Sequence, residues 1–251
     1  MASEDKSMSL VEHIEELRRR LLVMLIALLV TVAASFFFAQ YAITILAQPV
    51  GGLAHLQSIE VTENFGVFVK VALPCGFILA FPVIIYELLR FILPGLTPRE
   101  KGFVGFSIPV ATIFFVGGVA FAYYVMLPAA LPFLMTFLGV TTNPRLSSYF
   151  NFVTGLLFWV GLCFEFPLFI LILSRFGIVS ARSLLKFWRQ AIVAIAVLAA
   201  VITPTVDPVN MALMMAPLIG LYFISILFAL FGFKKKGEID SGKPKKARRP
   251  S

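Results

Sequence analysis

Long apolar segments, separated by short connections that carry most of the charge, are the feature that most restricts the fold of this chain. A membrane-spanning helix needs about 20 mainly apolar residues, and six segments reach or approach this length. They are 21–39, 65–93, 103–138, 150–173, 191–202 and 209–233. The fifth is short, so it predicts either a crossing of locally thinned bilayer or a re-entrant segment.

The composition excludes a soluble domain. Hydrophobic residues make up 60% of the chain and charged residues 14%, whereas soluble domains average about 45–50% and about 25%. So few charges could not cover the surface of a soluble protein, and the excess of apolar residues also excludes a disordered chain. We therefore predict an all-α integral membrane protein with several spans.

Prolines interrupt the apolar segments. Each proline removes a backbone hydrogen bond and tends to kink its helix, so their number predicts curved helices and a concave bundle. They are Pro74, Pro82, Pro109, Pro128, Pro132, Pro167, Pro204, Pro208 and Pro217. The pair Gly117 and Gly118 predicts a close contact between two helices.

The positions of the basic residues predict the orientation. All but two of the 21 Lys and Arg fall in the amino terminus, the second and fourth connections and the carboxyl tail; the exceptions are Lys70 and Arg145. The positive-inside rule places those regions in the cytoplasm, so we expect both termini inside and six crossings. The chain then divides into an amphipathic cytoplasmic segment (1–20), a six-span domain (21–233) and a basic tail (234–251) that we expect to be disordered.

Carboxylates stand beside arginines just before the first span. Glu15 precedes Arg19 by four residues, and Glu16 precedes Arg20 by four. This spacing favours weak surface ion pairs on a helix. The alternative is that Glu15 or Glu16 accepts the guanidinium of an arginine-containing ligand, because a carboxylate binds a guanidinium through two parallel hydrogen bonds.

Glu100 lies in the second connection, after Thr97 and Pro98. This order of residues is typical of a helix start, with Glu100 as a capping carboxylate. The same carboxylate would face the cytoplasm in a fixed orientation, so binding of an external cation is the alternative.

Glu165 lies in the middle of the fourth apolar segment. An ionisable group at that depth costs a few kcal/mol, which favours a functional role over an internal hydrogen bond near Pro167. Asp207 precedes the last segment, where an aspartate is typical of a helix amino terminus. Glu87, at the end of the second segment, is within reach of the interface and is the weaker signal.

No catalytic or metal-binding group of residues emerges from the sequence. His13 and His55 are predicted on opposite sides of the membrane, and Cys75 and Cys163 lie in apolar segments without metal-ligand spacing. We interpret the cysteines as small buried hydrophobes. The chain is therefore expected to be no enzyme and to hold neither a metal nor a cofactor.

Several stretches together resemble the TatC family, the core subunit of the twin-arginine protein translocase. The resemblance covers nearly the whole chain, about 10–233. The matching stretches are HIEELRRRL, FPVIIYELLRFILPGLTPREK, SSYFNFV, CFEFP, ITPTVDPVN and MMAPL. It implies a concave, glove-like bundle of six helices with both termini in the cytoplasm.

The resemblance also implies a function and partners. TatC proteins bind the twin-arginine signal peptides of folded cargo, assemble with TatB-type and TatA-type single-span subunits and other TatC copies, and use the proton-motive force. We accordingly expect a receptor in the lipid bilayer that does not bind nucleic acid. The absence of a transit peptide favours the plasma membrane of a prokaryote.

The resemblance assigns roles to five residues. Glu16 and Glu100 match the two carboxylates that read the arginine pair, and Phe91 matches the aromatic residue of the family's loop. Glu165 matches an intramembrane carboxylate where partner helices pack. Asp207 matches an acidic position before the last span.

Departures from the family pattern leave alternatives open. The family often has Gln and Trp where this chain has Glu87 and Leu89, and a glutamine where it has Met211. Glu87 thus adds a carboxylate near the expected signal-peptide site. The alternatives are a proton-coupled secondary transporter with Glu165 as proton carrier, against which stands the lack of internal repeats, and a scaffold that only recruits other subunits.

Overall fold

Ten α-helices form nearly all the regular structure of the described part of the chain. This computed structural model describes residues 10–92, 98–136, 143–175, 177–202 and 208–232, without the side chains of 10, 92, 98–104, 106, 209, 210, 231 and 232. The helices are α1 (Leu10–Ser35), α2 (Ala39–Ala47), α3 (Glu63–Ile92), α4 (Pro98–Phe121), α5 (Leu127–Thr136), α6 (Leu146–Cys163), α7 (Phe166–Arg175), α8 (Ala181–Lys186), α9 (Trp188–Ile202) and α10 (Pro208–Gly232). The predicted all-α fold is confirmed.

The helices agree with the predicted apolar segments. Within the described ranges, four helical stretches are long and apolar enough to cross a membrane: Glu63–Phe91, Ser107–Thr136, Leu146–Arg175 and Met211–Leu230. Between 28% and 39% of the residues in their most apolar windows are buried within the protein. The remainder faces outward, as expected for helices in lipid. The chain is therefore a multi-pass membrane protein.

Two further segments do not pass the same test alone. The first apolar segment is helix α1, which runs on without a break past residue 20 and is followed by α2 after a bend of 73°. Helix α9 has 15 residues, about 22 Å at 1.5 Å per residue, and is shorter than the roughly 30 Å hydrocarbon core. Six crossings and the orientation of the termini therefore stay predictions, and the tail 234–251 lies outside the described residues.

Helices α1 and α3 pack antiparallel and very closely. Near the end of α1, the Ser35 hydroxyl donates a hydrogen bond of 2.7 Å to the carbonyl of Ala72. Farther along α3, a Cβ on Gly76 would lie 2.6 Å from Val32 Cα and 2.8 Å from Val32 N. No residue larger than glycine fits there without moving the backbone of α1.

Helices α4 and α6 make a second close contact through glycines. A Cβ on Gly118 would lie 2.7 Å from the ring of Phe164 and 2.9 Å from the Cα of Gly161. The predicted close packing of the glycine pair is thus confirmed for Gly118. A Cβ on Gly117 would meet no described atom within 4 Å, so the other half of the pair faces open space.

Helix interruptions lie just before two of the prolines. Helix α3 continues through Pro74 and Pro82, whereas a turn of π-helix, Ala122–Met126, comes shortly before Pro128. The second interruption separates α6 from α7 just before Pro167. There the amide of Glu165 donates to the carbonyl of Leu162, at 3.1 Å, in place of the usual bond four residues back. The carboxylate of Glu165 therefore projects from a break in a spanning segment.

The loops opposite the start of α1 are tied together by a buried carboxylate. Glu63 accepts hydrogen bonds from the amides of Ile59 (2.8 Å) and Ser147 (2.7 Å) and from Nε of Arg145 (3.0 Å). Arg145 also forms an ion pair of 2.6 Å with the exposed Glu60. These bonds join the start of α3 to the start of α6, a link that the sequence did not predict.

Candidate functional site

Glu16, Phe91 and the start of the helix that carries Glu100 belong to one end of the bundle. Helix α1 begins there, α3 ends there, and α4 begins there after a connection of a few residues. We call this end the α1–α3 face. Because α1 and α3 run antiparallel, residues in about the first three turns of α1 meet residues in about the last two turns of α3.

Three charged side chains join α1 to α3 at this face. Arg20 donates from Nε and Nη2 to Glu16, at 3.1 Å and 2.6 Å, and from Nη1 to Glu87, at 2.7 Å. The exposed fractions of the side chains are only 15% for Arg20, 17% for Glu16 and 11% for Glu87. We call these three residues the arginine triad. Arg20 thus bonds one carboxylate on each of two helices, whereas the spacing predicted only its bond to Glu16.

The two oxygens of Glu16 have unequal surroundings. Both bonds from Arg20 go to Oε1, while Oε2 is buried and has no hydrogen-bond partner in the described part of the chain. Leaving a buried acceptor unsatisfied costs about 1–3 kcal/mol, and more for a charged group. Glu16 thus retains an acceptor that a further hydrogen-bond donor would satisfy.

Phe91 lies beside the triad at the end of α3. Its ring stacks on His13 of α1, with a centroid distance of 4.5 Å and an interplanar angle of 21°. One turn earlier, the guanidinium of Arg90 lies 5.6 Å from the ring centre of Tyr86 and donates a 3.0 Å hydrogen bond to its hydroxyl. The α1–α3 face therefore presents an aromatic surface next to the carboxylates.

Of the other residues predicted for this face, some are described only in their backbone. Helix α4 begins at Pro98, as its sequence predicted, but the side chain of Glu100 lies outside the described residues. Asp207, which is predicted before the last span and not at this face, also lies outside them. Among the described side chains, Glu15 and Arg19 form no ion pair with each other, so the predicted pair is wrong for them. Those two side chains are exposed, and water screens the attraction that the spacing would allow.

Glu165 lines a second feature, an apolar cavity of about 590 Å³. Representative lining side chains come from α3, α4, α6, α9 and α10: Phe81, Ala111, Trp159, Ile195 and Leu218. One oxygen of Glu165, Oε1, is buried without a hydrogen-bond partner among the described residues. A polar group on an inserted apolar helix would satisfy that oxygen.

Glu87 is the candidate site residue that sequence reasoning underrated. Its position near a helix end predicted a side chain reaching the interface, whereas the structure buries it against Arg20 of α1. The sequence did contain an indication of its importance, because Glu87 replaces the glutamine that is common at this position in the resembled family. The partner 67 residues away could not be read from the sequence.

The arrangement favours binding of a cationic group. Two carboxylates and one arginine leave the triad with a net negative charge, and the described residues contain no group of three His, Cys, Asp or Glu placed to hold a metal ion. Carboxylates hold guanidinium groups through paired hydrogen bonds. The face therefore has the chemistry of a site for an arginine-containing ligand.

Comparisons with known proteins point to one family. The model of the Sec-independent protein translocase protein (TatC) family matches residues 12–217. A TatC protein of Carboxydothermus hydrogenoformans is 38% identical over 231 residues, which are 91% of this chain and 95% of that protein. A TatC protein of Synechocystis is 40% identical over 223 residues, 88% and 87% of the two chains.

A chloroplast relative and a solved structure extend the match. The chloroplastic TATC protein of Pisum sativum is 38% identical over 87% of this chain, but the match spans only 63% of the pea protein. A crystal structure described as the twin arginine translocase receptor TatC superposes with a TM-score of 0.79, at 35% identity, over 89% of this chain and 100% of that one. Because the family model covers most of the chain and near full-length bacterial relatives exceed 30% identity, the chain belongs to the TatC family of Sec-independent protein translocase proteins.

Proposed function

We propose that this protein is the signal-peptide receptor and core subunit of a twin-arginine translocase, which exports folded proteins with energy from the proton-motive force. The observation that carries the proposal is the buried Oε2 of Glu16, which has no hydrogen-bond partner among the described residues, on a face where Arg20 already bonds this carboxylate. The description of a similar solved structure as a twin arginine translocase receptor supports it. The role is binding and transport, without covalent chemistry on a substrate.

Recognition would combine charge and apolar contact. Glu16, with Glu100 from the start of α4, takes the two guanidiniums, since each carboxylate can accept two parallel hydrogen bonds. The stacked rings of Phe91 and His13 give the apolar part of a signal peptide a surface to pack on. A lysine ammonium is a compact point charge and cannot form the same two-pronged bond, so the site prefers arginine.

The orientation follows from the same proposal. Signal peptides of unexported cargo are in the cytoplasm, so the α1–α3 face is the cytoplasmic face, in agreement with the positive-inside rule. Both termini then lie inside a prokaryotic plasma membrane. The exposed Arg18 and Arg19 hold the start of α1 near anionic lipid.

A photoreactive residue at position 101, next to Glu100, tests the receptor role. We expect a crosslink to a signal peptide with two consecutive arginines and none to the same peptide with two lysines. The experiment uses the full chain together with its partner subunits in membranes. If the folded protein gives no crosslink, Glu100 is interpreted as a helix-capping residue only, and the receptor role is contradicted. A substrate-dependent current would then support the secondary-transporter alternative.

Glu165 is proposed as the docking point for a partner helix. A single-span subunit of the TatB or TatA type would lie in the apolar cavity and donate a hydrogen bond to Oε1 of Glu165, with Asp207 as a second polar contact near the start of α10. The nearly apolar lining and the unpartnered oxygen support this.

Glu165→Ala is expected to reduce copurification of the partner subunits at least several-fold and to leave signal-peptide binding near wild type. Glu165→Gln retains a hydrogen-bond acceptor and should lose less. Quantitative pull-down and peptide binding on the same preparations measure both effects. Unchanged copurification of Glu165→Ala would contradict the docking role.

A further inference from the structure

The hydrogen bonds of the arginine triad are arranged unusually. An arginine beside one carboxylate usually forms two parallel bonds, one to each oxygen. Here Nε and Nη2 of Arg20 both donate to Oε1 of Glu16, at 3.1 Å and 2.6 Å. The expected second oxygen, Oε2, receives nothing from the residues that the structure describes.

Glu87 explains the distortion. Its Oε2 accepts a bond of 2.7 Å from Nη1 of Arg20, so the guanidinium is shared between carboxylates of two helices. A planar guanidinium has a fixed fork of donors, and turning it to face both oxygens of Glu16 would pull Nη1 away from Glu87. The carboxylate on α3 therefore limits how completely Arg20 can occupy the carboxylate on α1.

We propose that Arg20 is an internal ligand of the signal-peptide site, and that Glu87 holds it so that Glu16 Oε2 stays available to an arginine of the peptide. In the unliganded receptor, Arg20 bonds only one of the two carboxylate oxygens of Glu16. An incoming guanidinium bonds Oε2 and displaces Arg20 from Oε1, and Arg20 keeps its bond to Glu87. This inference rests on the proposed receptor function and names two further specificity-determining residues of that site.

The burial of the triad supports displacement over simple bridging. The three side chains are at most 17% exposed, so a peptide guanidinium reaching Oε2 is transferred from water to a site where charges interact strongly. Such a transfer is favourable only when every donor finds an acceptor. Lysine offers no planar fork, so the exchange selects arginine.

A double-mutant cycle tests the proposal. Binding of a fluorescent twin-arginine signal peptide, and of its twin-lysine form, is measured on the full chain in nanodiscs for the wild type, Glu87→Gln, Arg20→Gln and the double variant. Glu87→Gln replaces the charged acceptor of Arg20 by a weaker neutral one, which lets Arg20 turn towards both oxygens of Glu16. We therefore expect twin-arginine binding to weaken by up to about 10-fold, the effect of losing one charge-assisted hydrogen bond. Arg20→Gln removes the competitor and should bind at least as tightly as the wild type.

The double variant distinguishes two roles of the triad: competition between Arg20 and the peptide for Glu16, and stabilisation of the contact between α1 and α3. If Glu87 acts by restraining Arg20, removing both should restore twin-arginine binding to near the wild-type value. A double variant as weak as Glu87→Gln would mean that the triad only braces the helices, and would overturn the inference. Weaker binding by Arg20→Gln would overturn it as well. If that variant fails to fold, Arg20→Lys takes its place. It keeps the charge but cannot form the fork of bonds to Glu16, so it competes less than arginine and should bind the peptide no more weakly than the wild type.

Two comparisons distinguish this inference from the receptor proposal. The control variant Glu15→Gln makes the same charge change on an exposed neighbour of Glu16 and should bind like the wild type. If the wild type does not prefer arginine to lysine, the receptor proposal fails and the inference fails with it. If the wild type prefers arginine but Glu87→Gln binds normally, the inference alone fails.

Discussion

Gly76→Ala is expected to destabilise the protein more than any other single methyl addition in α3. The new Cβ would lie 2.5 Å from Val32 Cγ2 and 2.6 Å from Val32 Cα, and a backbone atom cannot move aside as a side-chain end can. Overpacking of a tight contact costs about 1–3 kcal/mol, occasionally more, and we expect the upper end. Thermal unfolding in detergent, followed by size-exclusion chromatography, measures the loss.

Gly66→Ala is the matched control for this substitution. Both glycines lie in α3, but a Cβ on Gly66 would meet no described atom within 4 Å. Because alanine is the better helix former, this variant should be as stable as the wild type or more stable by up to about 1 kcal/mol. Equal melting temperatures for Gly76→Ala and Gly66→Ala would show that α1 does not pack on α3 as described.

Glu16→Gln is expected to have the largest effect on ligand binding. The substitution keeps the shape of the side chain but removes the charge and the second acceptor that a guanidinium needs. Hydrogen bonds to charged groups contribute about 1.5–3 kcal/mol, so twin-arginine peptide binding should weaken roughly 10- to 100-fold. The preference over the twin-lysine peptide should fall with it, as equilibrium binding in nanodiscs would show.

The neighbouring substitution Glu15→Gln provides the control for that result. Glu15 carries the same charge one residue away, is exposed, and forms no ion pair with any side chain that the structure describes. We expect no more than a twofold change in peptide binding. A loss of binding equal to that of Glu16→Gln would attribute recognition to the net charge of α1, and would contradict a specific role for Glu16.

Local features of the fold were predictable because they depend on residues close in sequence. The apolar segments gave the spanning helices to within a few residues in most cases, since length and hydropathy alone decide what can cross a bilayer. The start of α4 at Pro98 follows from helix-capping preferences. The bond from Arg20 to Glu16 follows from their spacing of four residues.

Features that depend on contacts between helices were not predictable. Nothing in the sequence near Glu87 names Arg20 as its partner, and nothing near Glu63 names Arg145. Gly117 and Gly118 are adjacent and identical, and only the packing of α4 on α6 decides which of them is close to Phe164. The bend of 73° between α1 and α2 likewise occurs at a run of phenylalanines, without a proline or glycine to indicate it.

The hydrogen bonds of Glu63 fix two membrane-spanning segments to each other at one end. They fix the beginning of α3 to the beginning of α6 through Arg145 and Ser147, while the apolar cavity lies far along both segments, beside Leu89 and Phe169. The distance along α3 from Glu63 to Leu89 is about 39 Å at 1.5 Å per residue. A change of about 5° in the angle between α3 and the segment that begins with α6 would therefore move the far end of α3 by about 3 Å. A small rotation of α3 about its fixed end would thus change the width of the cavity by about the length of a hydrogen bond.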